Sequence, residues 1–307
     1  MDLPKFAYFQ GKIVPYSEAR VGVLTHGLNY GTAAFAGIRG YWNQAIQKLY
    51  IFRPLDHYRR FLNSARLLYM QLPYTPEDLI QITLDLIRKE EYRRDIYIRP
   101  LAYKEDELIG VRLHKLHATI SIVAVVHEPY LPDDTNAHVT VSSWRRLDDN
   151  AIPARGKISG AYVNSALIKT DAQLAGFDEA LVLNQDGHLS EGSAMNVFMV
   201  RDGVLITPPI TDNILEGITR KSIMELARSE LGITVVERPI DRTEVYLCDE
   251  LFLTGTAAQV TAITRVDYRP VKNGKMGPVA TQLRGLFDDV VHGRCEKYMD
   301  WLVEAGT

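Results

Sequence analysis

Three kinds of segment in this 307-residue chain carry residues suited to chemistry. Lys157 stands among glycines in Arg155-Gly156-Lys157-Ile158-Ser159-Gly160. A buried lysine can shed its proton and attack an aldehyde, whereas most lysines are solvated surface charges, and the local sequence alone favours the surface reading. Glu191, in Ser190-Glu191-Gly192-Ser193, caps a turn unless a cationic partner compensates its burial. Leu215-Glu216-Gly217-Ile218-Thr219-Arg220 sets a glycine and a threonine at a predicted helix start. Unpaired N–H groups and the helix dipole there favour an anion such as phosphate, although the same residues also serve as plain caps. Thr254-Gly255-Thr256-Ala257-Ala258 ends a strand-like run with small residues, which suits close approach of backbone amides to a ligand or a tight strand-to-helix turn.

The elements around these segments follow from periodicity. Phe6 to Tyr16 alternates around Gln10-Gly11-Lys12, as a hairpin does. Leu55 to Met70 is apolar on one face, and Thr75-Pro76-Glu77-Asp78 is an N-cap with proline at N1 for a helix to about Tyr92. Asp95 to Tyr103 and His117 to His127 are strand-like, which makes the first half mixed α+β. The turn-rich stretch 128–137 reads as an interdomain connection, separating a small N-terminal domain (1–127) from a larger C-terminal one (138–307). Beyond it, strands are expected at Val139–Trp144, Glu179–Asn184, Met195–Val200, Ile233–Glu237 and Glu250–Thr254. Helices are expected at Ile218–Leu231 and Val279–Val291.

Composition narrows the function classes. Apolar residues at 46% and charged residues at 24% describe a globular chain, and a formal net charge of −3 offers no nucleic-acid footprint. Cys248 and Cys295 are far apart and form no CxxC pair, so neither a disulfide framework nor a metal site is expected. No apolar run approaches a bilayer span and no basic leader precedes one, which leads to the expectation of a soluble cytoplasmic protein acting on small molecules.

Six segments, in order, resemble the branched-chain amino acid aminotransferases of the class IV aminotransferase family. They are Tyr30 to Arg39, Tyr97-Ile98-Arg99-Pro100, Lys157 to Asn164, Ser190-Glu191-Gly192, Gly217 to Arg220 and Thr254 to Ala258, and they cover nearly the whole chain. One such motif is weak evidence, but six in register make coincidence improbable. The resemblance implies pyridoxal 5′-phosphate (PLP) as cofactor and fold type IV, a small α+β domain beside a larger α/β domain with a mixed-sheet pseudo-barrel. It also implies transamination between Leu, Ile or Val and 2-oxoglutarate by a ping-pong mechanism, in a homodimer or higher homo-oligomer with sites at the subunit interface.

Residue by residue, the resemblance makes Lys157 the Schiff-base lysine and proton shuttle, Glu191 the carboxylate at the pyridine nitrogen, and Tyr162 the partner of the phenolic oxygen. Arg60, rather than Arg59, matches the phosphate-binding arginine, because it precedes the Phe61-Leu62-Asn63-Ser64-Ala65 continuation. The Leu215–Thr219 run, with Gly217, Ile218 and Thr219, and Thr256 complete the phosphate cup. Tyr30, Phe35, Gly37, Tyr97, Arg99, Val111 and Tyr130, with the Thr256-Ala257-Ala258 backbone, would bind the substrate, Tyr130 reaching the partner subunit's pocket.

There are two departures. Ala36 replaces the glutamate usual in Phe-Glu-Gly-Ile-Arg, and Arg112-Leu113-His114 is similar to an Arg-x-His of D-amino-acid aminotransferases. D-amino-acid and (R)-amine transaminases of the same fold are therefore the alternatives, together with aminodeoxychorismate lyase and a PLP-binding protein without catalysis. Tyr97-Ile98-Arg99 and Gly110-Val111 favour the branched-chain group, since an amine substrate gives no reason for a carboxylate-binding arginine at that strand position.

Overall fold

The computed structural model describes residues 3–127 and 133–306. They form two compact units. The first takes in the residues up to 127 and is joined by Gly156–Ala161 and by 289–306; the second holds 133–155 and Tyr162–Asp288. A single cut at 128–137 makes no provision for these two returns of the chain to the first unit, one of which carries Lys157.

The first unit is built on an antiparallel sheet. Its strands are β1 (Phe6–Phe9), β2 (Lys12–Pro15), β3 (Ala33–Phe35), β4 (Ile38–Asn43), β5 (Lys48–Phe52), β6 (Ile96–Lys104) and β7 (Ala118–Val126). The C-terminal strand Leu302–Ala305 pairs with β5, and the order continues through β4, β6, β7, β1 and β2, with β3 also beside β6. Gln10 (φ 46°) and Gly11 (φ 86°) both take positive φ, the geometry that a two-residue hairpin needs to match strand twist. Helix α1 (His26–Tyr30) precedes β3, while α2 (Pro54–Leu67) and α3 (Pro76–Glu90) follow β5. Tyr58, Phe61 and Ala65 of α2 and Leu79, Leu86 and Ile87 of α3 join Ile38, Ile51, Ile98 and Ile122 in one core.

In this first unit two helix ends fall short of their sequence-based limits. Helix α2 stops at Leu67 because Tyr69 turns left-handed (φ 54°), its carbonyl accepting from the buried Lys104 Nζ at 2.8 Å. Helix α3 stops at Glu90, where Glu91 is left-handed (φ 58°). Its start is as expected: Thr75 and Asp78 form a reciprocal capping box.

The second unit is built on a mixed sheet. Its strands are β8 (Ala137–Arg145), β9 (Glu179–Leu183), β10 (Leu189–Gly192), β11 (Asn196–Arg201), β12 (Val204–Thr207), β13 (Val235–Glu237), β14 (Glu250–Gly255), β15 (Gln259–Val266) and β16 (Arg269–Pro270). The order is β10-β9-β8-β15-β14-β11-β12-β13, with β16 beside β15; β8 runs parallel to both β9 and β15. Helix α4 (Tyr162–Leu174) is the parallel crossover between β8 and β9, and α5 (Ile218–Ser229) links β12 to its parallel neighbour β13. Helix α6 (Pro278–Val291) begins where Glu250 accepts from the N–H groups of Val279 and Ala280, a carboxylate cap at the positive end of the helix. Among the described residues no helix is long and apolar enough to cross a membrane.

Candidate active site

In the first unit the chemistry gathers around Lys157. Its carbonyl accepts from Phe35 N–H (2.9 Å) and its N–H donates to Ser64 Oγ (3.0 Å), so strand β3 and helix α2 both fix the lysine's backbone. The two glycines next to this segment make that approach possible. Gly31 is left-handed (φ 64°), a Cβ on it would lie 2.8 Å from Gly160 Cα, and Gly160 N–H donates to the Gly31 carbonyl at 3.2 Å.

The Lys157 side chain lies over an aromatic wall. Its Nζ is 5.0 Å from the Phe35 ring centroid, and the Arg99 guanidinium carbon is 4.6 Å from the same centroid. Phe35 thus has both the Lys157 amine and the Arg99 guanidinium against its ring. Arg99 also donates to the Tyr97 hydroxyl at 3.0 Å, and a Cβ on Gly37 would sit 2.1 Å from that oxygen, so Gly37 is the room in which Tyr97 stands. Arg39 is committed elsewhere, to Asp95 at 2.8 Å. Tyr30 receives a hydrogen bond from Gly110 N–H (3.0 Å), and Val111 is 81% exposed.

Arg60 lies one turn before Ser64 on α2, whose hydroxyl donates to the Arg60 carbonyl at 2.8 Å while accepting from Lys157. Arg60 is half-buried where Arg59 is exposed, in keeping with the choice between them. Buried His57 lies one turn nearer the start of α2, and its imidazole is held well below its ordinary pKa, first by burial and then by the charges of Arg60, Lys157 and Arg53.

The second unit presents a buried acid and an open helix end. Glu191 is 3% exposed on β10. Arg146, just beyond β8, reaches its Oε1 at 2.9 Å and also donates through Nε to the Asn213 carbonyl at 3.2 Å. Glu191 Oε2 accepts from Asn196 Nδ2 (3.2 Å) and Leu215 N–H (3.1 Å), and Asn196 donates in turn to the Leu215 carbonyl (2.9 Å). These bonds pin the loop that delivers the start of α5. Gly217 caps that helix with no side-chain hydrogen bond, and a Cβ on it would lie 2.0 Å from Asn196 Oδ1. The N–H groups of Ile218 and Thr219 thus open the helix without a side-chain cap, the arrangement that receives an anion.

Tyr162 begins α4. Thr256, Ala257 and Ala258 form the turn between β14 and β15, a strand-to-strand hairpin rather than a strand-to-helix turn, and the Thr254 hydroxyl just before it is buried without a hydrogen-bond partner. Tyr130 lies outside the described residues. The roles of Arg146 and Asn196 escaped sequence reasoning, because a buried ion pair between distant strands leaves no local pattern; Ser64 stood in the Arg60 motif without a role.

The first unit thus offers an amine and an arginine, and the second, by itself, a buried acid backed by an arginine and an uncapped helix start; these are residue types that a PLP enzyme uses. The family model for amino-transferase class IV matches residues 35–266. The chain belongs to the class IV aminotransferases. It is 46% identical over 297 residues (97% of this chain, 96% of the relative) to a probable branched-chain-amino-acid aminotransferase of Aquifex aeolicus. The crystal structure of a branched-chain amino acid aminotransferase from Thermobaculum terrenum in its PLP form matches with TM-score 0.95 and 41% identity over 100% of both chains. That of the T.th. branched-chain amino acid aminotransferase complexed with N-(5′-phosphopyridoxyl)-L-glutamate matches with TM-score 0.93 and 39% identity over 99% of both chains. This class IV aminotransferase thus has the fold type IV architecture expected from its motifs.

Proposed function

We propose that this enzyme transfers the α-amino group of Leu, Ile or Val to 2-oxoglutarate, in two alternating half-reactions, with Lys157 as the covalent Schiff-base anchor of PLP. The placement of Lys157 Nζ and the Arg99 guanidinium against one Phe35 ring carries the reading, since it offers a reactive amine, an apolar wall and a cation for a carboxylate together. Bound PLP supplies an electron-withdrawing ring that stabilises negative charge at the substrate α-carbon.

The chain's own residues do the rest. Lys157 would hold the cofactor aldehyde and move a proton at the substrate α-carbon. Glu191, paired with Arg146 at 2.9 Å, would be the carboxylate that stabilises a protonated ring nitrogen. Tyr162 would donate to the phenolic oxygen. Arg60, the N–H groups of Ile218 and Thr219 and the Thr256 hydroxyl would hold the phosphate, with Leu215 and Gly217 in the loop that leads to them. The Thr256-Ala257-Ala258 amides would take the α-carboxylate.

An aliphatic side chain packs on Phe35, Tyr30 and Val111, and the distal carboxylate of glutamate meets Arg99 beside Tyr97. That the T.th. relative was solved with N-(5′-phosphopyridoxyl)-L-glutamate supports glutamate as one of the substrates. The assembly in this reading is a cytoplasmic homodimer, with Cys248 and Cys295 as free thiols.

The test supplies purified enzyme with PLP, L-leucine and 2-oxoglutarate, and runs D-alanine and an (R)-amine in parallel. Equal amounts of 4-methyl-2-oxopentanoate and L-glutamate are expected. Transfer from D-alanine or the (R)-amine with none from L-leucine would replace this reading with one of the same-fold alternatives.

A further inference from the structure

His26 is fully buried, yet both of its ring nitrogens are bonded, Nδ1 to Thr32 Oγ1 and Nε2 to the Gly110 carbonyl, each at 2.7 Å. A carbonyl only accepts, so Nε2 carries a proton, and Nδ1 of the neutral ring accepts from the Thr32 hydroxyl. One turn later on α1, Tyr30 takes the N–H of the same residue, Gly110, at 3.0 Å. His26 and Tyr30 stand four positions apart with ring centroids 4.7 Å apart, on one face of the helix. Both backbone polar groups of Gly110 are thus gripped by α1. The flanking Ile109 and Val111 are 82% and 81% exposed, so burial of their own side chains does little to hold the turn. Gly110 itself has φ 153°, a conformation that other residues resist.

We infer that His26 is a positioning residue for the substrate side-chain pocket: through Gly110 it fixes the Ile109–Val111 turn, and with it the distance between Val111 and Tyr30 that selects aliphatic side chains. This rests on the branched-chain reading above. The grip fixes one tautomer and one ring orientation. It therefore acts on ground-state binding of the side chain and not on the proton transfer at Lys157.

The experiment compares His26→Phe and His26→Gln with the wild type in two assays. The first is limited trypsin cleavage after Arg112 or Lys115, both exposed beside the turn; the second is KM and kcat for L-leucine. Phe leaves the Gly110 carbonyl without its donor, so cleavage there should quicken about tenfold and KM rise about tenfold with kcat little changed. Gln, which carries a donor and an acceptor on one amide, should fall between Phe and wild type in both. Where the Phe variant does not accumulate as folded protein, Thr32→Val, which removes the partner of Nδ1, should move both readouts the same way. Wild-type cleavage and KM in a folded Phe or Val variant, or a Gln variant no better than Phe, would overturn the inference. Failure of the wild type to use L-leucine would instead sink the functional reading, and the cleavage comparison would still decide whether His26 holds the turn.

Discussion

Replacing Arg146 by methionine removes the cationic partner of a carboxylate whose side chain is 4% exposed, while keeping much of the side chain's volume. Glu191 then keeps the neutral donors Asn196 Nδ2 and Leu215 N–H, and the Asn213 carbonyl loses the Arg146 Nε donor. Leaving one member of a buried ion pair uncompensated costs about 3–5 kcal/mol, which lowers the melting temperature of a chain this size by about 5–8 °C. A carboxylate that has lost its cationic partner no longer holds its place to stabilise a charged ring nitrogen, so kcat should fall by orders of magnitude. The double variant Arg146→Met/Glu191→Gln removes the unpaired charge. It should regain most of the lost melting temperature and none of the turnover. The assays are thermal unfolding of the cofactor-free protein and single-turnover rates with L-leucine. A single variant that melts within about 1 °C of wild type, or a double variant no more stable than the single, would refute the account of Glu191 as a buried charge compensated by Arg146.

Gly31→Ala should be more disruptive than Gly160→Ala. The former places a Cβ 2.8 Å from backbone at a left-handed residue, the latter 3.3 Å from one oxygen, and a shift of the Lys157 segment approaching 1 Å costs about a hundredfold in rate, read as single-turnover kinetics. Arg99→Ala should impair the half-reaction with L-glutamate by about 2–5 kcal/mol of transition-state stabilisation and barely touch that with L-leucine; equal losses would remove Arg99 from the distal carboxylate. His57 has a lowered folded-state pKa, so the unfolded chain takes up the proton first. Its contribution is complete above the ordinary histidine pKa of about 6.5 and declines as pH falls below it. Melting temperature should therefore drop between about pH 6.5 and 5, with a shallower drop in His57→Gln, and parallel profiles would contradict this.

Local chemistry was legible in the sequence where it is local in space. The Thr75–Asp78 capping box and the Gln10-Gly11 turn each act within four residues, and both stand where the pattern placed them. Helix α4 was not foreseen because its apolar residues go round the helix: Val163 and Leu174 are 64% and 84% exposed, while Ile168 and Ala172 are buried. The strand Leu302–Ala305 is four residues long and pairs with β5 across most of the chain, a contact without local trace. The same limit hid Arg146, whose importance comes from Glu191 on another strand, and the joining of the Lys157 segment to the first unit through Gly31 and Gly160.

The claim on which the rest depends is that Lys157 bears the cofactor. Borohydride reduction of the PLP-loaded enzyme, followed by proteolysis and mass mapping, reads it directly. The account predicts one phosphopyridoxyl group per chain, on the peptide containing Lys157, and none in Lys157→Ala; label on any other lysine of the wild type, or an unlabelled Lys157 peptide in a yellow enzyme, would contradict it.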